Sequence, residues 1–361
     1  MRKLSIRLGV ILFFVGLGTV LSVMLDPYGV FHVFNQRDYI GLSTNARFVK
    51  ICHLLDNPQK YDTLLFGSSR VGYIDVNLLD VSKYGNCYNM TYSAGTPANH
   101  VEDIRFLIKN GIIPKKILLG FDDGSISSIN LDTRANLNRR PYPYDGDALG
   151  FYIDYLNPTL GIKAIINSTP RNLIIMMGDS KKENLYSDGQ SNIQIYRDPK
   201  NWLFISEEEH AANLATIPDN MPLIAQANFD KAFSTMFEIK QLCEENNIEL
   251  TFFTTPNHVN YFAFYADNGL LSFLSAFAKK ADFINFLGVN NVTVNPLNYH
   301  EMAHYNTLAG DYVIKVLNGE DVGEELFKQH FGIVVGSENE ELIISSLSNQ
   351  AKEYLKEHMK H

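Results

Sequence analysis

Three short apolar runs, each shut off by glycine, proline or acidic residues, constrain this chain more than anything else in it. They are Asp62-Thr-Leu-Leu-Phe66 before Gly67-Ser68-Ser69, Lys116-Ile-Leu-Leu-Gly-Phe121 before Asp122-Asp123, and Glu249-Leu-Thr-Phe-Phe-Thr254 before Thr255-Pro256-Asn257. Runs so short and so uniformly apolar suit strands buried on both faces, as parallel strands are. Between them the apolar spacing is helical: Val101, Ile104, Leu107 and Ile108 up to Gly111, then Phe229, Phe233, Phe237 and Leu242. A helix over 270–280 and a strand-like Val292-Thr-Val294 extend the series. The alternation predicts an open α/β sheet.

The N-terminus differs in kind. Arg2, Lys3 and Arg7 precede an uncharged, mostly apolar run from Leu8 to Leu25, closed by Asp26-Pro27. Such a run is just long enough to cross a bilayer, and its positive flank predicts a cytoplasmic N-terminus with the main domain extracytoplasmic. The rivals are a cleaved signal peptide, for which no small-x-small site precedes Asp26, and a buried core helix. The reading is a cytoplasmic tip and transmembrane anchor over 1–25, a lead-in over 26–60, the α/β domain over 61–330 and a charged, helical tail over 331–361. An irregular insertion at about 130–205, with Pro141, Pro143, Gly146 and several tyrosines, is placed over the carboxyl ends of the strands.

The formal net charge of −9 argues against nucleic acid as a partner, since no basic stripe offsets it. Cys52, Cys87 and Cys243 lack metal spacing; at most one bridge can form among them, and they read as buried free thiols. Asn89, Asn167 and Asn291 open N-x-[ST] triplets, which would matter only in a eukaryotic secretory pathway.

In open parallel sheets ligands bind where strands end, and three motifs fall there. Gly67-Ser68-Ser69-Arg70 follows a strand directly, so that Ser69 can present its hydroxyl and its N–H to one space. Asn89-Met-Thr-Tyr-Ser93-Ala94-Gly95 brings a glycine able to aim an N–H at an oxyanion. Arg70 is a candidate for an anionic substrate group or for an internal ion pair, Asp122 is a further candidate for substrate contact, and His258, at a strand end, is a candidate pocket residue. For His100 and His210 the sequence shows no partner.

His300-Glu301-Met302-Ala303-His304 admits two chemistries. On a helix it would be a zinc-protease motif, with Glu320 or Glu324 as a conceivable third ligand. The approach through Val292-Thr-Val-Asn-Pro296-Leu-Asn is a poor helix interior, however. Alternatively His304 is the base for a distant hydroxyl and Glu301 the acid that fixes its tautomer, which is what Ser69 would need.

The order of these motifs resembles the SGNH/GDSL hydrolase superfamily, in particular its membrane-anchored members such as the alginate O-acetylation and D-alanyl-teichoic-acid proteins. Thr63-Leu-Leu-Phe-Gly-Ser-Ser-Arg70 matches the first block with Ser69 as nucleophile, Gly95 the oxyanion glycine of the second, and Tyr299 to Tyr305 the final Tyr-x-Asp-x-x-His-Tyr segment. Glu301 stands where the family usually has Asp. Asp122 ends the third block where the family has an oxyanion asparagine, so either Asp122 has another task or only backbone donors serve the oxyanion. The resemblance implies a three-layer, flavodoxin-like sheet and serine-dependent O-acyl transfer, most often acetyl, or ester hydrolysis on a cell-envelope glycan. It implies no cofactor and no metal, and as partner a membrane-bound O-acyltransferase. A glycan-binding or scaffold protein on the same fold is the alternative.

Overall fold

In the computed structural model, which describes residues 2–26, 28–31, 44–130, 136–144, 146–156, 188–190, 193–215 and 223–358, the three apolar runs form strands. They are β1 (Thr63–Phe66), β3 (Lys116–Phe121) and β4 (Glu249–Thr254), joined by β2 (Cys87–Asn89), β5 (Phe283–Asn285) and β8 (Ile333–Val335). The sheet order is β2-β1-β3-β4-β5-β8. All neighbours are parallel except β5 and β8, which run antiparallel with Phe283 opposite Val335. β1 is buried throughout and β3 from its second residue, as strands covered on both faces must be.

Two features depart from the sequence reading. The tail is not only helical, because it supplies the antiparallel edge strand β8 before the helix Glu340–His358. Val292-Thr-Val294 is a turn rather than a strand. The Asn290 carboxamide oxygen accepts the N–H groups of Val292 at 3.0 Å and Thr293 at 3.1 Å, and such local bonding overrides the β-branched composition.

Every crossover from β2 onward steps the same way along the sheet, so right-handed connections place their helices on one face. Accordingly the helices Pro97–Lys109 and Leu271–Ala278 both pack against Gln226–Glu245. The core beneath is aromatic, with Phe121 within 6.5 Å of the rings of Phe252, Phe273, Phe277 and Phe283. The β1-to-β2 step goes the other way. Its Lys83 and Tyr84 both donate to the Leu317 carbonyl at 2.6 Å, fastening the helix Thr307–Asn318 to that segment. The chain therefore reverses direction between β1 and β3, the switch point at which doubly wound sheets open a crevice.

Two compact units are present. Pro58–Leu131 and Ile193–His361 form the one carrying the sheet, and Met1–Asn57 and Asp132–Asn192 form the other. In the second, a helix over Ala46–Asp56 is capped by Asn45. The Asn45 amide also donates to the Arg140 carbonyl at 2.7 Å and to the Tyr155 hydroxyl at 2.8 Å, and Phe48 stacks on Phe151 and Tyr142. The helix Arg2–Leu25 belongs to this unit. Its span Leu4–Met24 has mean hydropathy 2.2 and is only 11% buried, so it is long and apolar enough to cross a membrane and is not a core helix among the described residues.

Cys52, Cys87 and Cys243 are free thiols, of which Cys243 is buried as expected and Cys52 and Cys87 are only half-buried. Asn89 is buried and Asn291 exposed, while Asn167 lies outside the described residues.

Candidate active site

The site grows from the turn after β1. Gly67 sits at φ +155°, and a Cβ there would meet Val71 at 2.3 Å and the Gly120 carbonyl at 2.9 Å, so only glycine lets the chain fold back over the end of β3. Val71 opens a short 3-10 turn, Val71–Tyr73, and is fully buried. Two serines precede it, and their fates differ. The Ser68 hydroxyl donates to Asp122 Oδ2 at 2.7 Å and is buried. The half-buried Ser69 hydroxyl pairs with His304 Nε2 at 2.7 Å. No backbone acceptor takes the Ser69 N–H among the described residues.

His304 arrives on a hairpin. β6 (Tyr299–Glu301) and β7 (His304–Tyr305) pair antiparallel, with Tyr299 opposite Tyr305 and Glu301 opposite His304. The two tyrosines are fully buried; alternation along β7 turns His304 away from the side of Tyr305, and an irregularity in register between Tyr299 and Glu301 lets Glu301 meet His304 on the outer side. Asn306 ties off the base of the hairpin. Its N–H donates to the Asn298 carbonyl at 2.8 Å, and its side-chain oxygen caps the following helix through the Leu308 N–H at 2.9 Å. His210 braces the other side by donating from Nε2 to the Tyr299 carbonyl at 2.8 Å.

Within the hairpin Glu301 Oε1 accepts from His304 Nδ1. That bond holds the Glu301 carboxyl below the usual glutamate range, with burial opposing. With Nδ1 protonated, Nε2 is the lone-pair nitrogen facing Ser69. Because residues 300–304 are a hairpin, the helical zinc-protease arrangement does not form. His300 Nε2 bonds the Tyr73 hydroxyl at 3.1 Å, His304 Nε2 faces a serine, and Glu301 is engaged by His304. Neither Glu320 nor Glu324 joins them in a cluster able to hold a metal among the described residues.

Four other candidate residues take the following places. Arg70 is buried and internal rather than substrate-facing. Its Nη1 bonds Asp123 Oδ1 at 2.9 Å and lies 3.4 Å from Asp122, and its Nη2 bonds the Tyr261 hydroxyl at 2.8 Å. Burial works against this charge, but Asp122 and Asp123 outweigh it and hold the pKa well above the usual arginine value. Asp122 likewise faces inward and has a task other than that of an oxyanion asparagine, the first of the two alternatives above. Besides Ser68 it accepts the Ser125 N–H at 2.7 Å as the cap of the short helix Asp123–Ser127. The Gly95 N–H, expected to face an oxyanion, donates to the Tyr92 carbonyl at 3.1 Å. Gly95 is required for space instead, since a Cβ would lie 2.9 Å from the Gly67 carbonyl and 2.8 Å from the His100 ring. His258 is buried as the cap of the helix Val259–Tyr265, pushed down to about 4 by burial and then by His210. It lines a cavity of about 540 Å³ beside Asn260, Gln329 and Tyr354, to which none of Ser69, Glu301 and His304 contributes.

Reasoning from sequence missed Tyr73 and Tyr196. The Tyr73 ring lies 5.0 Å from that of His300 and 6.4 Å from that of His304, and Tyr196 stacks on His300 at 5.0 Å. No periodicity or motif marks either residue. Above buried serine-to-carboxylate and arginine-to-carboxylate bonds stands a serine–histidine–glutamate series, a hydroxyl paired with a base that a carboxylate orients, which is an arrangement able to activate a nucleophile. Comparison with protein-family models and with curated proteins finds no match for the chain.

Proposed function

We propose that the chain is a membrane-anchored, SGNH-type enzyme carrying out serine-dependent acyl transfer, acetyl transfer above all, or ester hydrolysis on an extracytoplasmic cell-envelope glycan. The observation that carries this reading is the relay from Ser69 Oγ to His304 Nε2 at 2.7 Å and from His304 Nδ1 to Glu301. In the first half-reaction His304 Nε2 takes the Ser69 proton while Oγ attacks the acyl carbonyl. The Ser69 N–H donates to the oxyanion that forms. His304 then protonates the leaving oxygen, and the acyl group remains on Ser69 as an ester. In the second half-reaction His304 deprotonates water or a sugar hydroxyl, whose oxygen attacks the ester and frees Ser69.

The helix Arg2–Leu25 would hold the N-terminus in the cytoplasm by its positive flank, leaving the sheet-bearing unit outside. On that side of the membrane acyl groups would have to be delivered, and a membrane-bound O-acyltransferase is the partner this requires. One observation favours a second reading, a non-catalytic glycan-binding or scaffold protein: the Gly95 N–H is committed to Tyr92, and the Asp122 carboxylate is an acceptor where a donor would serve, which leaves the oxyanion few donors.

Reaction with a fluorophosphonate probe tests the choice, because only an activated hydroxyl is phosphonylated. The enzyme reading expects labelling at Ser69, together with acetate release from a chromogenic acetyl ester or, with a glycan acceptor, transfer. An unlabelled wild-type chain supports the binder.

A further inference from the structure

Segment 193–197, a 3-10 turn, opens the second stretch of the sheet-bearing unit and is fastened within that unit at several points. Arg197 grips Asp311 with both terminal guanidinium nitrogens, Nη1 at 2.6 Å and Nη2 at 3.0 Å. Gln194 donates to Asp75 Oδ2 at 2.6 Å and accepts from Arg197 Nε at the same distance. Bidentate pairs of this kind fix orientation as well as distance. Between these two residues stands Tyr196. Its ring stacks on His300 with centroids 5.0 Å apart and planes 25° from parallel, and His300 stacks on His304 at 5.5 Å and 29°. Tyr73 closes the assembly from the side, edge-on to Tyr196 at 5.3 Å and bonded to His300 Nε2 at 3.1 Å.

We propose that Tyr196 is a positioning residue for the Ser69–His304 pair: held by the Arg197–Asp311 grip, its ring backs His300, and His300 backs the catalytic imidazole. The need for it follows from the acid. Glu301 restrains His304 at Nδ1, but its side chain is 56% exposed, and a long, water-facing carboxylate restrains a ring poorly on its own. His304 must take a proton from Ser69 and return it without swinging away, and a ring stacked on its face removes that freedom where Glu301 does not. His300 suits the task because burial keeps it neutral, so that it places no charge against the imidazolium formed during transfer. The catalytic consequence rests on the serine-enzyme reading, whereas the geometric one does not.

The test uses the full-length chain in detergent and the variants Tyr196→Ala, Tyr196→Phe and Arg197→Ala. The second-order rate of Ser69 phosphonylation and the His304 ring-nitrogen resonances are measured in each. Loss of the ring in Tyr196→Ala is expected to slow labelling about tenfold, the scale of a modest misplacement of reacting groups. Tyr196→Phe retains the ring and is expected within about twofold of wild type, with Arg197→Ala falling between the two. Labelling of Tyr196→Ala at the wild-type rate overturns the proposal, and so does a Tyr196→Phe rate as low as that of Tyr196→Ala. Should Tyr196→Ala fail to fold, Arg197→Ala carries the test, and a wild-type rate there overturns the grip. If the wild-type chain is not labelled at all, the enzyme reading fails and the resonances decide alone. Positioning then requires that they move in Tyr196→Ala and not in Tyr196→Phe; unmoved resonances in Tyr196→Ala overturn it.

Discussion

Ser68 and Asp122 are bonded hydroxyl to carboxylate at 2.7 Å, and this bond decides which of two adjacent serines is free to react. Asp122 turns Ser68 inward and caps a helix with its other oxygen, so the next residue, Ser69, projects toward His304.

A reciprocal pair of substitutions tests this division. Ser69→Ala is expected to abolish fluorophosphonate labelling while moving the unfolding midpoint little, because a half-buried turn hydroxyl contributes little to the core. Ser68→Ala leaves Asp122 Oδ2 short of a donor in a buried site and is expected to cost about 1–3 kcal/mol of stability in urea titration, with labelling retained. If Ser68→Ala instead lost labelling with stability intact, the assignment of the two serines would have to be exchanged.

Glu301→Gln should slow acyl transfer without abolishing it. A buried triad aspartate replaced by its amide costs about 10⁴-fold in rate through the wrong tautomer. Glu301 is largely exposed, so water supplies part of what the carboxylate gives the imidazolium, and a loss of roughly 10- to 100-fold is expected. Steady-state hydrolysis of a chromogenic acetyl ester measures it. Full activity in the variant would place the acid elsewhere.

Arg70 separates a structural role from a substrate-binding one. Replacing it with Met leaves Asp122 and Asp123 buried without their cation, and breaking one side of such a pair typically costs about 3–5 kcal/mol. Lysine is expected to restore little of this, since a single ammonium cannot reach Asp123 and Tyr261 together as the guanidinium fork does. A rise in KM with unchanged urea stability would return Arg70 to the substrate.

These outcomes mark where the sequence was readable. The strands at 63–66, 116–121 and 249–254 could be read because burial on both faces forces continuous apolar runs, and Gly67 because a turn over a neighbouring strand admits no Cβ. The order of Ser69, Glu301 and His304 was readable as chemistry, since a hydroxyl needs a base and the base an acid. What escaped depends on contacts across long separations. Arg70 beside a catalytic serine looks the same in sequence whether it meets a substrate or Asp123. The Gly95 amide could not be known to be spent on Tyr92, and Tyr196, in an irregular stretch, belongs to the site only through its stack on His300. β8 is too short to announce itself, and Val292 to Val294 mislead because Asn290 captures their backbone.

Acid should destabilise the fold through two histidines. Burial pushes both His258 and His300 down to about 4, against an unfolded value near 6.5. Between those values the unfolded chain binds a proton at each site and the folded chain does not, so falling pH favours unfolding. The contribution is fully present above pH 6.5 and declines by at most about 1.4 kcal/mol per pH unit for each histidine until pH 4, below which it changes no further. Urea titrations at pH 7, 6, 5 and 4 measure the slope, and subtracting the slopes of His258→Gln and His300→Gln isolates each histidine from the carboxylates that titrate in the same range. Both variants should flatten the curve between pH 6.5 and 4, His300→Gln while keeping an acceptor for the Tyr73 hydroxyl. A His300→Gln slope equal to that of wild type would mean that His300 takes up its proton as readily in the folded chain as in the unfolded one and is charged below about pH 6.5. A cation would then lie against His304, and the neutral stack that backs the catalytic imidazole would be the wrong description of this hairpin.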